Sequence, residues 1–300
     1  MTSNQTPLVS VILSTFRRDE SLLKAAESLS KQTYKNIEVL IADDNADKAC
    51  SEKVSKICGR FGFIHIQNAK NLGSAENRNN AVRHSSGEYI AFLDDDDEYF
   101  ESKIERQLGC MLKEKADACI ENLLLTDENG KYIETRTREY MRGIDQKALM
   151  SCHLKYHMSG TDSLMFTRVY FDAIGGFPPI NRGDEFYLMS RAIEGGGKIV
   201  YHDETGAKAV VHSESGLSGG NSKLICEKEL FRYKKQFKSR LSKADWRYIV
   251  MRHHAVNAFA YVRMKKYFRF FLSGVFAFLS APVMCLRFLK DRFLKGSEKK

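Results

Sequence analysis

The sequence predicts an α/β protein: a mostly parallel sheet with helices on both faces, continued by a basic helical extension. Three observations carry that expectation. Short β-branched apolar runs alternate with amphipathic stretches over the first hundred residues, the pattern of repeated β-α-β units. Aspartates collect directly after two of those runs. Charge is also divided unevenly along the 300 residues. Lys223–Lys300 holds 20 Lys/Arg against 5 Asp/Glu, a net of +15, which leaves 27 against 33, a net of −6, for residues 1–222.

The elements follow in order. "PLVSVILS" (7–14) is the first strand, and "DESLLKAAESLSKQ" (19–32) reads as an amphipathic helix. "NIEVLIA" (36–42) and "DKACSEKVSKICGR" (47–60) repeat the strand and helix. "FIHI" (63–66), "SAENRNNAVRHSSG" (74–87) and "YIAFL" (89–93) complete the alternation, the helix being closed by Gly87. "SKIERQLGCMLKEK" (102–115) is helical, and "ACIENLLLTDENGKYIET" (118–135) reads as two strands around an Asn-Gly turn. A helix is expected around Asp184–Glu194, stopped by Gly195–Gly197. From residue 222 every stretch is compatible with helix. The division expected is therefore a catalytic domain over 1–221 and an extension over 222–300.

Seven cysteines without CxxC spacing read as reduced, mostly buried thiols rather than a disulfide frame or a zinc site. The N-terminus lacks a basic stretch followed by a long apolar one, so no signal peptide is expected there. Phe270–Leu286 contains no charged residue and is bounded by Arg269 and Arg287. It is short for a span and interrupted by Gly274 and Pro282. Basic flanks fit a helix lying in the headgroup region of a cytoplasmic leaflet. Packing on its own domain and a true span are the alternatives. The long uncharged aromatic run argues against nucleic acid as the anionic partner of this tail.

"YIAFLDDDDEYF" (89–100) concentrates the chemistry. Four adjacent carboxylates repel one another, and burial raises their pKa values unless something positive relieves them. Either water solvates an acidic turn, or a divalent cation sits there. Ligands bind at the carboxyl ends of strands in parallel sheets, and Asp43, Asp44 and Asp94–Asp97 all fall at such ends.

Taken with "VSVILSTFRRDESLLKAAESLSKQTYKNIEVLIADDN" and "NLGSAENRN", this stretch resembles the family 2 glycosyltransferases of GT-A fold. The resemblance covers roughly residues 7–215. It implies an inverting transfer from a nucleotide-diphosphate sugar, with Mn2+ or Mg2+ as cofactor. Asp94-x-Asp96 looks like the family's DxD motif, which would put Asp96 on the metal and Asp94 toward the nucleoside ribose, with Asp95 and Asp97 assisting. Asp43 aligns with the aspartate that binds the uracil edge. Thr15 and Phe16 match the loop that wraps the base, although Ser14-Thr15-Phe16-Arg17 stands where the family usually has Pro-Thr-Tyr-Asn. Arg78 falls at the nucleotide. "GDEFYLMSR" resembles the ED-x-x-L-x-x-x-R motif, and counting back from Leu188 and Arg191 puts Glu185 at the base position. The acidic pair is thus reversed, and either Asp184 or Glu185 could serve. His212 resembles the histidine that some members add as a metal ligand.

The resemblance implies a UDP-sugar donor and a lipid-linked or polysaccharide acceptor. The basic tail adds an anionic membrane surface, and so a peripheral place at the inner face of the cell membrane. Two rivals are a nucleotidyltransferase, which lacks here a Gly-rich phosphate loop after the first strand, and a non-catalytic module that binds nucleotide sugars.

Overall fold

The computed structural model describes residues 6–158, 160–180, 182–212 and 220–297. The chain forms two compact units. One contains the residues up to Met150 together with Met158–Val211; the other contains Ser151–His157 and everything from His212.

The first unit begins with β1 (Val9–Thr15), α1 (Asp19–Ser30), β2 (Ile37–Asp43), α2 (Lys48–Phe61), β3 (Ile64–Gln67), α3 (Ser74–Arg83) and β4 (Tyr89–Asp94). After them come β5 (Glu98–Tyr99), α4 (Lys103–Glu114), β6 (Ala118–Asp127) and β7 (Tyr132–Arg136). The helix α5 (Leu149–Tyr156) carries the chain into the second unit. The chain returns through β8 (Leu164–Thr167), α6 (Arg168–Ala173), α7 (Asp184–Glu194) and β9 (Ile199–Val211). The second unit holds α8 (Gly220–Lys235), α9 (Lys243–Arg263), α10 (Tyr267–Ser280) and α11 (Pro282–Ser297). The sequence boundary at residue 222 falls inside α8.

Nine strands form one sheet in the order β3-β2-β1-β4-β8-β6-β9-β5, with β7 added beside β6. The first four are parallel to one another, and β8 enters antiparallel between β4 and β6. The alternation in the sequence therefore yields the expected parallel half. The mixed half comes from segments whose pattern is less regular, above all β9, which runs parallel to β6 with register slips between Ile120 and Leu123 and antiparallel to β5.

Both faces of β1 and β4 are covered, which explains why they are apolar without alternation. Val11, Leu13, Ala91 and Leu93 face a core with Leu22, Ala26 and Leu29 of α1. The rings of Phe92, Phe166, Phe171 and Phe177 make a second cluster, with Phe92 and Phe177 edge-to-face at 5.1 Å between centroids. Asp47 caps α2 by accepting the Cys50 N–H at 2.9 Å. The β6–β7 turn is closed by Asp127 Oδ1, which accepts the N–H groups of Asn129 and Lys131, each at 2.9 Å. The third helix stops at Arg83, short of Gly87, because the chain must turn there to enter β4.

Gly87 marks the tightest approach in this region. A Cβ there would lie 2.4 Å from Ser10 Oγ, 2.5 Å from Ser10 N and 2.9 Å from Leu8 O, two of which are backbone atoms that cannot swing aside. Gly87→Ala should lower stability by roughly 1–3 kcal/mol through overpacking. In contrast, Gly109 lies within α4 with nothing within 4 Å of a new Cβ, so Gly109→Ala should stabilise by about 0.5–1 kcal/mol. Thermal unfolding of both variants checks the pair.

Candidate active site

In the strand order, β1 lies between β2, which precedes β3, and β4, which continues the sheet the other way. Such a switch point opens a crevice at the carboxyl ends of the strands. The register sets Thr15 beside Asp43 and Ser14 beside Asp94, so the ends of β1, β2 and β4 stop level with one another.

Each aspartate after β4 meets a different partner. Asp94 accepts Arg78 Nη2 at 2.5 Å and is partly exposed. Asp95 is buried and accepts Thr15 Oγ1 at 2.7 Å and the Phe16 N–H at 3.2 Å. Burial pushes its pKa up to about 7, against the Thr15 hydrogen bond and the Arg18 charge. Asp96 pairs with the Arg18 guanidinium. Asp97 accepts the Val210 N–H at 2.9 Å, and burial together with Asp162 holds its carboxyl well above the usual range.

Asp162 has no place in the sequence expectations. It sits in a 3-10 turn, Thr161–Ser163, immediately before β8, and β8 pairs with β4. Its Oδ1 accepts the Asp94 N–H at 2.9 Å. Burial and the nearby Asp94 push it up to about 6. Ligand oxygens of Asp94, Asp97 and Asp162 lie within 4.8 Å of one another, the one such convergence of three potential ligand groups among the described residues. Hard carboxylate oxygens crowded together, two of them on the raised groups Asp97 and Asp162, fit Mg2+ or Mn2+. Of the residues the sequence assigned to a metal, Asp94 belongs to this cluster. Asp96 stands next to it in the Arg18 pair, and His212 belongs to the other unit.

Arg78 joins the cluster to the acidic pair of α7. It is buried in the first turns of α3, whose N-cap Gly73 has φ +82°. Its Nη1 donates to Asp184 at 2.7 Å while Nη2 holds Asp94, and its guanidinium lies 5.4 Å from the Phe177 ring centroid. Burial disfavours its charge, but the Asp94 and Asp184 carboxylates outweigh that and hold it firmly protonated. Asp184 also accepts Ser74 Oγ at 3.0 Å and the Glu185 N–H at 3.2 Å. Burial and the adjacent Asp184 push Glu185 up to about 8.

The aspartates after β2 are both satisfied within the protein. Asp43 has no exposed surface. Its Oδ1 accepts Asn45 N and Nδ2 at 3.0 and 2.8 Å; its Oδ2 accepts Ser51 Oγ at 2.6 Å and lies 2.8 Å from His65 Nε2. Contact between its carboxylate and a base would require it to change partners. Asp44 accepts the N–H groups of Leu72 and Gly73 at 2.7 and 2.9 Å, and so ties down the loop that leads into α3. Phe16 is exposed at the crevice, next to Arg17 at φ +58°.

A family model, glycosyl transferase family 2, matches residues 10–175 of the 300. The chain belongs to glycosyl transferase family 2. Its fold is GT-A. An Escherichia coli relative, UDP-Glc:alpha-D-GlcNAc-diphosphoundecaprenol beta-1,3-glucosyltransferase WfgD, is 28% identical over 187 residues, 61% of this chain and 69% of that protein. A Rickettsia bellii glycosyltransferase is 34% identical over 145 residues, 48% of this chain, which thus spans 21% of that longer protein. Among solved structures, the mannosyltransferase PcManGT of Pyrobaculum calidifontis in complex with GDP-Man and Mn2+ superposes with a TM-score of 0.61. It is 15% identical, over 97% of this chain and 81% of its own.

The carboxylate cluster predicts a proton-linked response to metal. Ligation requires ionised carboxylates, so cation binding must expel the protons that the raised groups retain. Manganese at a hundred times its dissociation constant adds about 2.7 kcal/mol, or roughly 5–10 °C in melting temperature. That rise should grow as pH climbs through about 6, where Asp162 ionises. Asp162→Asn should cut it by more than half. Melting curves with and without manganese across this pH range check both statements.

Proposed function

We propose that the chain transfers a sugar from a nucleotide-diphosphate donor, a UDP-sugar, to a lipid-linked or polysaccharide acceptor with inversion at the anomeric carbon. The observation that carries this reading is the Arg78 bridge. One buried guanidinium ties the cation-type carboxylate cluster to the acidic pair of α7, so that a diphosphate and an acceptor hydroxyl can be served at one sheet edge. The family and the name of the E. coli relative support the donor and the lipid-linked acceptor.

Roles follow from the partners each group already has. Asp184 is engaged by Arg78 and Ser74, which suits a positioning residue that keeps the guanidinium in place. Glu185, raised to about 8, has the proton affinity of a general base working near neutral pH. Its carboxylate takes the proton of the acceptor hydroxyl as that oxygen attacks the anomeric carbon. The bond from that carbon to the diphosphate breaks on the opposite face, and the electron pair leaves with the nucleoside diphosphate. Asp94, Asp96, Asp97 and Asp162 are the residues that would hold a divalent cation. A bound cation supplies charge neutralisation for the departing diphosphate. The base-binding side of the crevice is formed by Thr15, Phe16 and the end of β2 at Asp43, with Asp95 bracing the Thr15–Phe16 turn. The enzyme works at the inner membrane face, where such acceptors are held.

Three variants separate these roles. Glu185→Gln should reduce turnover on the order of a hundredfold or more with donor binding largely intact. Wild-type turnover should rise with pH through about 8, because Glu185 accepts a proton only when ionised. Asp184→Asn should instead weaken donor binding, since it frees Arg78, and should keep a pH-dependent rise that moves to lower pH, because the Asp184 charge no longer raises Glu185. Asp96→Ala should abolish metal-dependent turnover without unfolding the protein. A screen of nucleotide sugars for transfer or hydrolysis, with and without manganese, tests the reading as a whole. Binding of a nucleotide sugar with no turnover under any condition would favour a binding module of the same fold.

A further inference from the structure

We propose that the aromatic face of α10 lies in the plane of one leaflet of an anionic bilayer, as an anchor that enters the membrane without crossing it. This deepens the reading of a lipid-linked acceptor and rests on it only for its purpose; the observations all lie in the helical unit.

One side of α10 packs on α9, and on the other large apolar side chains stay exposed among the described residues. Ala277 is buried with Met251 and Ala255 of α9. On the opposite side Phe268 is 75%, Phe271 64% and Leu279 65% exposed, although all are large and apolar; Phe276, at the border, stacks on His254 of α9. At 100° per residue, the exposed apolar positions from Tyr267 to Leu279, Phe276 aside, sweep about 200°, a little over half the circumference of the helix. Between them Phe270, Phe271, Gly274, Val275, Phe278 and Leu279 line an open apolar groove of about 310 Å³. Exposed patches of this kind mark interaction sites.

Charge identifies the partner. Between Trp246 and Lys290 there are eight Lys/Arg and no Asp or Glu. Lys265, Lys266 and Arg269 stand at the start of α10, and Arg287 and Lys290 follow the exposed first turn of α11. Pairing this face with a second copy would set two basic rims against each other. An anionic lipid surface instead satisfies the rim with headgroups and the rings with acyl chains.

Geometry argues against a straight crossing. α10 has 14 residues and so is about 21 Å long, short of the roughly 30 Å hydrocarbon core. The uncharged run continues past it, but Pro282 lacks the N–H that a continuing helix needs. The chain bends by 119° between α10 and α11. No single helix among the described residues is long and apolar enough to span.

The test uses the full chain with vesicles of phosphatidylcholine alone or mixed with phosphatidylglycerol. Binding should favour the mixture and be weakened only in part by salt. Phe271→Glu with Phe278→Glu should lower partitioning roughly a hundredfold or more. Circular dichroism checks that this variant folds. Lys265→Gln, Lys266→Gln and Arg269→Gln together leave the apolar face intact, and should remove most of the preference for phosphatidylglycerol. For depth, the single tryptophan is removed by Trp246→Phe and a probe introduced by Phe278→Trp. Bromines high on the acyl chain should quench it more than bromines at the chain end. Strongest quenching at the chain end would indicate a span and overturn the proposal. So would unchanged partitioning of the double glutamate variant, or its conversion of a dimer to a monomer with no effect on vesicles. None of these readouts needs sugar transfer, so a protein that binds vesicles but transfers nothing would sink the proposed activity and leave the anchor standing.

Discussion

Repulsion among carboxylates crowded at one sheet edge is the constraint that the active-site half of this protein must satisfy. Asp94 to Asp97, Asp162, Asp184 and Glu185 converge there, several of them buried, and burial in low dielectric magnifies every unfavourable pair. Arg78 is the internal answer. It divides its two terminal nitrogens between Asp94 and Asp184, while the Phe177 ring beneath it excludes water and favours the cation. Arg18 relieves Asp95 and Asp96 through a single nitrogen, Nη1, from a more exposed position. Asp97 and Asp162 have no such guanidinium and retain protons instead, as their raised pKa values express. A site built this way presents three carboxylates of the kind that hold hard cations.

The supports of Arg78 extend that constraint outward through the fold. The arginine is held because α3 begins where it does, and α3 begins there because Asp44 accepts the backbone N–H groups of Leu72 and Gly73. Asn68 donates to Asp44 and to Asn77, and Asn77 in turn donates to the Ala42 carbonyl at the end of β2. A chain of amide hydrogen bonds thus runs from the second strand to the helix that presents the guanidinium. Fully satisfied buried networks of this type specify one arrangement, since losing one member strands the others.

Legibility in the sequence tracks how local each feature is. The parallel strands were legible because each carries its own apolar run and is followed at once by a helix. Asp94 to Asp97 were legible because they end a strand. Asp162 was not, since its meaning depends on β8 inserting antiparallel beside β4, a pairing between segments some seventy residues apart. The nearest signal was an isolated aspartate just before a short apolar run, "TDSLMF", which alone reads as an ordinary turn. Nor does the adjacent pair Asp43–Asp44 announce that one side chain faces Ser51 and His65 while the other secures the α3 loop. Adjacent residues at a strand end point to opposite faces, and which face holds which donors is settled by the helices packed there.

The helical unit shows the converse: the composition of its apolar segment was legible, and its path was not. An uncharged run of Phe270–Leu286 suggests one continuous element, yet it is divided at Ala281 because Pro282 begins a new helix in another direction. That break decides what the segment can do. A straight helix with rings on half its surface would be a short span in search of a thinner membrane. Broken, with α9 along one side, the same residues expose their apolar half sideways while the charged groups cluster at its ends. In the proposed anchor the hydrophobic term scales with the half-surface offered to lipid, and the electrostatic term with the basic rim around it. Each is modest alone, and stable anchoring of a peripheral protein takes both.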